Sequence, residues 1–275
     1  MLYVPGNRPS RLQKSPRYGA DAVILDLEDS VPGNEKESSR ILIKYALREP
    51  FWGDTDRFVR INDLNSPYWV KDVECVVPET LTGLKIPKVE SENQLRALDK
   101  ELERIENGNG IRTGTTKLIL TIETAKGLVN LTAICSASER TIGIGLGSED
   151  LMTDTGIARE EMWVLRSQLT IIAKAFGYFV QDSVFPNFSD LRGLAEESRR
   201  SRNIGMDGKT AIHPDQIETL NAIFSPSVKE IEKAKKVLEM SVKENGRAFS
   251  FDGEMIDLPI LERYRRIALQ GGGKA

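Results

Sequence analysis

Cysteine and histidine are nearly absent from this 275-residue sequence, with two of the first and one of the second, and that scarcity removes whole classes of chemistry. Cys75 and Cys135 lie far apart in the chain, which predicts two reduced thiols packed in the fold rather than a disulfide framework. With His213 as the sole histidine and no close cysteine pair, a zinc site cannot be assembled from the usual ligands. A Ser-His-Asp arrangement would have to draw on that same residue. Charge of one sign is lacking as well. The 38 Lys and Arg nearly balance the 41 Asp and Glu, for a formal net charge of −3, which gives no support for a nucleic-acid partner or a polybasic membrane contact. Long hydrophobic runs are missing: Ala22 to Leu25 and Leu118 to Ile122 are far too short to cross a bilayer. No charged-then-apolar leader opens the sequence, because Leu2 to Pro5 already reads as a strand. The expectation is a cytoplasmic protein whose chemistry rests on carboxylates and cations.

Short apolar runs alternate with longer amphipathic stretches, the pattern of βα units on a parallel sheet. Strands are predicted at Leu2–Pro5, Ala22–Leu27, Arg57–Asn62, Gly83–Pro87, Lys117–Ile122, Thr141–Leu146, Tyr178–Phe185 and Lys209–His213. Helical periodicity places Leu95, Leu98, Leu102 and Ile105 on one face of 91–106. It places Leu165, Leu169, Ile172 and Ala173 on one face of 162–176. Eight such units are the count for a closed (β/α)₈ TIM barrel. The alternative is an open doubly wound sheet, but the first strand–helix turn lacks the closely spaced glycines of a dinucleotide fold. Residues 1–224 are therefore expected to form the barrel. Residues 225–275 form a C-terminal extension: a charged helix to about Gly246, a hairpin around Asp252-Gly253, a last helix from Pro259 and a frayed "GGGKA" tail.

Polar residues gather behind the strands, which in a barrel converge on the mouth where active sites lie. Asp26, Glu28 and Asp29 follow the second strand, Arg60 the third, Lys88 the fourth, Glu123 the fifth, and Glu149 and Asp150 the sixth. A carboxylate buried behind an apolar strand needs a cation or hydrogen-bond donors. Oxygen-only ligands favour a hard ion such as Mg²⁺, which takes one or two protein carboxylates and completes its shell with water and substrate. Glu123 and Asp150 on neighbouring strands suit that role. The competing reading makes these acids helix caps or first-turn residues, and for Asp29 and Ser30 the two readings stay level. In the first loop Arg8, Arg11 and Lys14 could bind phosphate, although composition alone favours a solvated basic helix start.

The strings "LYVPGNRP", "GADAVILDLEDSV", "VRIN", "IPKVES", "IETAKGLVN", "GSEDL", "GKTAIHPDQ" and "DGEMIDLP" stand in an order that resembles the citrate lyase beta subunit and the malyl-CoA and citramalyl-CoA lyases of the HpcH/HpaI aldolase group. The resemblance covers essentially the whole chain. It implies a TIM barrel that assembles as a homotrimer or hexamer, with Mg²⁺ held by Glu123 and Asp150, and Glu123 also facing the substrate. Arg60 matches the arginine that holds the keto acid and stabilises charge on its oxygen. Asp257 matches a catalytic aspartate on a C-terminal lid that reaches a neighbouring subunit's site. Tyr3, Arg8 and Lys14 match positions that contact coenzyme A, which tips the first loop toward phosphate binding, whereas His213 stays a structural residue.

The implied reaction is retro-Claisen cleavage of a 2-hydroxy-acid thioester, turning citryl-CoA or citryl-acyl-carrier-protein into oxaloacetate plus an acetyl thioester. "ENGNGIRTGTTKL" and the stretch from Arg48 to Val77 look like citrate lyase beta chains, which work with other lyase subunits. "AIHPDQ" is usual in free-standing relatives that use coenzyme A. The segment "ETLTGLKIPK" departs from the pattern by lacking a Gly-x-Asp before the fourth strand. Two alternatives remain: a free-standing malyl-CoA or citramalyl-CoA lyase or thioesterase, and a non-catalytic barrel subunit of a lyase complex.

Overall fold

The computed structural model describes residues 1–244 and 247–271. Eight strands, β1 (Leu2–Pro5), β2 (Ala22–Asp26), β3 (Asp56–Arg60), β4 (Gly83–Ile86), β5 (Lys117–Ile122), β6 (Thr141–Leu146), β7 (Phe179–Asp182) and β8 (Gly208–Lys209), lie side by side in chain order. Every neighbouring pair is parallel. A parallel bridge between Leu2 and Ala211 closes the sheet. There the Tyr3 N–H donates to the Ala211 carbonyl at 2.9 Å and the Ala211 N–H to that of Met1 at 2.8 Å. The open-sheet alternative falls, and the fold is the expected (β/α)₈ barrel.

β2, β3 and β4 end one or two residues before their predicted bounds, at Asp26, Arg60 and Ile86, and two strands fall further short. β7 stops at Asp182 rather than Phe185, and β8 at Lys209 rather than His213. Gln216 explains much of this. Its Oε1 accepts from the Ile212 and His213 N–H groups at 2.8 and 3.3 Å, and its amide donates to the Phe185 carbonyl at 2.9 Å. A side chain thus satisfies backbone groups that a longer ladder would have used.

Alternation along each strand sorts the barrel interior into layers. Ala22, Ile24, Phe58 and Ile119 form a buried apolar cluster against which Met1 and Tyr3 pack. Two residues further along the same faces come Asp26, Arg60 and Thr121, and Lys85 is the register partner of Arg60. The apolar floor therefore gives way to a polar layer near the C-terminal strand ends.

The outer helices follow their predicted periodicity with one correction. Helix Glu92–Gly108 buries Leu95, Leu98, Leu102 and Ile105, and Gln94 receives the Ser91 N–H at its start. Helix Met162–Ala175 buries Met162, Arg166, Leu169, Thr170 and Ala173, leaving Leu165 and Ile172 only partly covered. The buried face has turned because Arg166 reaches Asp182 at 2.8 Å, and Thr170 folds its hydroxyl back onto the Arg166 carbonyl at 2.7 Å. Hydrophobic periodicity carries no sign of a charge buried with its partner. Cys75 and Cys135 are both free thiols. Among the described residues no helix is long and apolar enough to cross a membrane.

The chain divides into two compact units, Met1–Leu220 and Asn221–Ala275. In the second, Ser227 and Glu230 form a capping box that opens helix Val228–Lys243. A hairpin of β9 (Phe249–Phe251) and β10 (Glu254–Ile256) turns through Asp252 and Gly253, both at positive φ (51° and 77°). That is the Asp-Gly turn the sequence announces. Helix Leu258–Gly271 follows, and Ala234, Val237, Ile256, Leu261 and Tyr264 form this unit's core. Gly246, the expected end of the charged helix, and the tail from residue 272 lie outside the described residues.

Candidate active site

The register of β2 with β3 sets Asp26 beside Arg60. The guanidinium grips the carboxylate through two bonds, Nε to Oδ1 at 2.6 Å and Nη2 to Oδ2 at 2.8 Å. Asp26 also accepts the backbone N–H groups of Glu28 at 3.0 Å and Ser30 at 3.1 Å. Burial pushes the Asp26 carboxyl up, but the adjacent Arg60 charge reverses this and holds it below the ordinary carboxylate value. Arg60 reaches two more acids, Glu28 at 2.9 Å and Asp29 at 3.1 Å, and lies 4.7 Å from the centroid of the Tyr3 ring. In the "LEDS" turn neither Asp29 nor Ser30 caps a helix, since the next helical turn begins at Gly33 after Pro32; Asp26 ties the turn through the Glu28 and Ser30 N–H groups. Asp29 turns to the arginine instead.

Glu123, directly after β5, is 4% exposed, and its Oε2 has no hydrogen-bond partner. Burial, then the charges of Glu28 and Asp150, push its carboxyl up to about 8 against the opposing pull of Arg60 and Lys88. Across from it stands Gly147, where a Cβ would lie 2.4 Å from Glu123 Cγ. Only the bare glycine leaves room for the carboxylate. Asp150 sits half exposed in the first turn of helix Ser148–Thr155, where the helix dipole favours an acid. Lys88, at positive φ (50°), sends its ammonium to Glu28 at 2.9 Å and to within 4.0 Å of Asp150.

A cavity of about 460 Å³ joins these groups, and Tyr3, Arg60, Glu123 and Asp150 all line it. So do two further cations. Of the basic residues after β1, which form helix Pro9–Lys14 and its N-cap Arg8, the lining residue is Arg11, whereas Arg8 and Lys14 are exposed to solvent and do not line this cavity. The second is Lys85, which sequence reasoning missed. It is 2% exposed and donates to Gln181 Oε1 at 2.5 Å, and burial pulls its ammonium down to about 7. Its signal in the sequence is a lone cation inside the apolar run "GLKIP". That is easily taken for a solvent-facing residue until the barrel closes around it. Asp257 belongs to the second unit, where its Oδ1 accepts the Ile260 N–H at 3.2 Å at the start of the last helix. His213 stacks on Phe188, with centroids 4.8 Å apart.

The donors over the cavity suit a hard divalent cation. The free Glu123 oxygen is buried and lacks a partner, the glycine opposite it leaves space, and the second acid is a carboxylate too. Among the described residues no three His, Cys, Asp or Glu side chains cluster as a metal cage. Two carboxylates leave most of an octahedron to water and substrate, which is the habit of Mg²⁺.

Residues 1–214 match the model of the HpcH/HpaI aldolase/citrate lyase family. The chain is similar to the citrate lyase subunit beta of Leuconostoc mesenteroides subsp. cremoris, with 35% identity across 97% of this chain and 91% of the relative. It is 33% identical to the mitochondrial citramalyl-CoA lyase of Homo sapiens, across 96% and 82% of the two chains. Among solved structures it resembles CitE from Mycobacterium tuberculosis in complex with magnesium, acetoacetate and coenzyme A. That likeness has a TM-score of 0.79 at 30% identity and covers 98% of this chain and 97% of the other. With a family model spanning most of its length and relatives matched nearly end to end, the chain belongs to the HpcH/HpaI aldolase/citrate lyase family.

Proposed function

We propose that this protein is a Mg²⁺-dependent carbon–carbon lyase that splits a citryl thioester, on coenzyme A or an acyl carrier protein, into oxaloacetate and an acetyl thioester. The observation that carries the reading is Glu123: a buried carboxylate with one unpartnered oxygen, facing a glycine, on a cavity shared with Asp150 and Arg60. A core acid with no task would cost the fold stability. A ligand acid has a reason to be there.

In this proposal Glu123 and Asp150 hold the ion, which when bound acts as a Lewis acid that lowers the pKa of the substrate hydroxyl. The hydroxyl gives its proton to solvent water and the carbon–carbon bond breaks. Its electrons go to the α-carbon of the thioester, as an enolate, while the former carbinol carbon becomes the keto group. Arg60, held rigid by Asp26 and by the Tyr3 ring, presents positive charge to the oxygen that changes character. Asp257 returns a proton to the α-carbon, so the thioester leaves as acetyl. Tyr3, Arg8 and Lys14 contact the coenzyme A moiety, with Arg11 nearer the cavity. The active assembly is a homotrimer or hexamer in the cytoplasm, in which residues 225–275 act as a lid over a neighbouring subunit's site.

The test uses purified Glu123→Ala and Asp150→Ala chains with citryl-CoA, (S)-malyl-CoA and citramalyl-CoA plus Mg²⁺, with products identified by mass. Each substitution is expected to lower kcat/KM by about 1,000-fold or more, and calorimetry should show lost Mg²⁺ binding. Lyase activity surviving in both variants would sink the metal-site assignment.

A further inference from the structure

Lys85 is a buried cation lining the cavity whose charge the proposed chemistry leaves unused. Its register partner Arg60 is already matched to Asp26, Glu28 and Asp29, and Lys88 to Glu28. Among the described residues the Lys85 ammonium has no carboxylate within 4.0 Å, and its single hydrogen bond goes to the neutral amide oxygen of Gln181. An ammonium carries three donors, so two remain. Glu123 attracts the ammonium from beyond that distance and the Tyr3 ring lies 5.7 Å from it, but a buried cation with no carboxylate in direct contact is still costly, and such groups are ordinarily paired. Here the side chain lines a cavity, so a partner can arrive from outside.

The surroundings are shaped for that arrival. Gly145 on β6 leaves open the space beside the ammonium, because a Cβ there would lie 3.2 Å from Nζ. Thr121, the register partner of Gly145, also lines the cavity. It is 3% exposed, and its hydroxyl has no hydrogen-bond partner. A charged donor and a hydroxyl donor thus stand together, both buried and both short of an acceptor. A carboxylate is the small group that satisfies the two at once.

We propose that Lys85, assisted by Thr121, is the docking site for a second substrate carboxylate, the one on the side arm of the hydroxyl-bearing carbon, and that it selects citryl over citramalyl and malyl groups. The proposal rests on the reading of this cavity as a lyase site. A citryl thioester carries a carboxymethyl arm on that carbon, where citramalyl has a methyl and malyl a hydrogen. The keto-acid product is correspondingly dicarboxylate oxaloacetate rather than pyruvate or glyoxylate. Only the first supplies the missing acceptor.

Full-length wild-type, Lys85→Met and Lys85→Arg chains with Mg²⁺ are compared on citryl-CoA, citramalyl-CoA and (S)-malyl-CoA. Replacing Lys85 by Met should cut kcat/KM for citryl-CoA by about 10- to 100-fold, as expected for losing hydrogen bonds to a charged group. The citramalyl-CoA value should hold or rise, and Lys85→Arg should keep the citryl preference. An equal fall for all three thioesters would make Lys85 a merely structural cation and overturn the docking site while leaving the lyase reading intact. Wild-type protein that cleaves none of the three overturns both. Should Lys85→Met not fold, product inhibition of the wild type gives the answer. Oxaloacetate should inhibit at least about tenfold more tightly than pyruvate, and equal inhibition refutes the docking site.

Discussion

Glu123 concentrates the site's electrostatics in one carboxyl group. Burial and two neighbouring acids raise it to about 8, so without metal the folded chain holds a proton there that the unfolded chain releases near 4.5. Between those values the native state binds more protons, and the metal-free protein should lose stability as pH rises through that window. A divalent ion displaces the proton, so binding should release close to one proton at pH 7 and tighten about tenfold per pH unit up to about 8. The thermal upshift produced by Mg²⁺ should accordingly be larger at pH 8.5 than at pH 6, and Glu123→Gln should remove the difference. Equal upshifts in the wild type at both pH values would remove Glu123 from the metal site.

At the scale of elements, the site depends on how β5 and β6 end. Glu123 leaves the tip of β5 and meets the turn at Gly147 that starts helix Ser148–Thr155, the helix that carries Asp150. One junction therefore positions both candidate ligands. Gly147→Ala would set a methyl 2.4 Å from Glu123 Cγ, and the carboxylate would have to move. The backbone at Gly147 has φ −103°, so the alanine brings no left-handed strain. Mg²⁺ affinity should fall about tenfold or more, the scale of support-residue effects at metal sites. Calorimetry checks this, and an unchanged Kd would show that the Glu123 position is immaterial to the ion.

For the whole molecule, the barrel unit carries Arg60, Glu123, Asp150 and Lys85, while Asp257 lies in the second unit. If Asp257 serves a neighbouring subunit's site, neither Glu123→Ala nor Asp257→Ala chains alone should turn over citryl-CoA. Mixing them after verified subunit exchange should restore about a quarter of wild-type activity or less, because only some mixed interfaces pair intact halves. No recovery after exchange would mean that each site is completed within one chain.

Local sequence determined the eight strands, the parallel βα order, the Asp-Gly hairpin, and the acids and arginine behind strands two, three, five and six. Period-two and period-3.6 patterns, turn chemistry and the cost of a charge beside an apolar run are all properties of neighbouring residues. Tertiary structure alone decided which way a charge points and what answers it. Lys85 looks like any surface lysine until barrel closure turns it inward against Gly145 and Gln181. Arg166 disturbs a helix face that hydrophobicity assigns to Leu165, because Asp182 arrives from another strand. Asp26 grips Arg60 because β2 and β3 pair in one register, and the same carboxylate ties the turn that follows. Burial and partnership depend on residues far away in the chain, and those two quantities fix the free energy of a charge inside a protein.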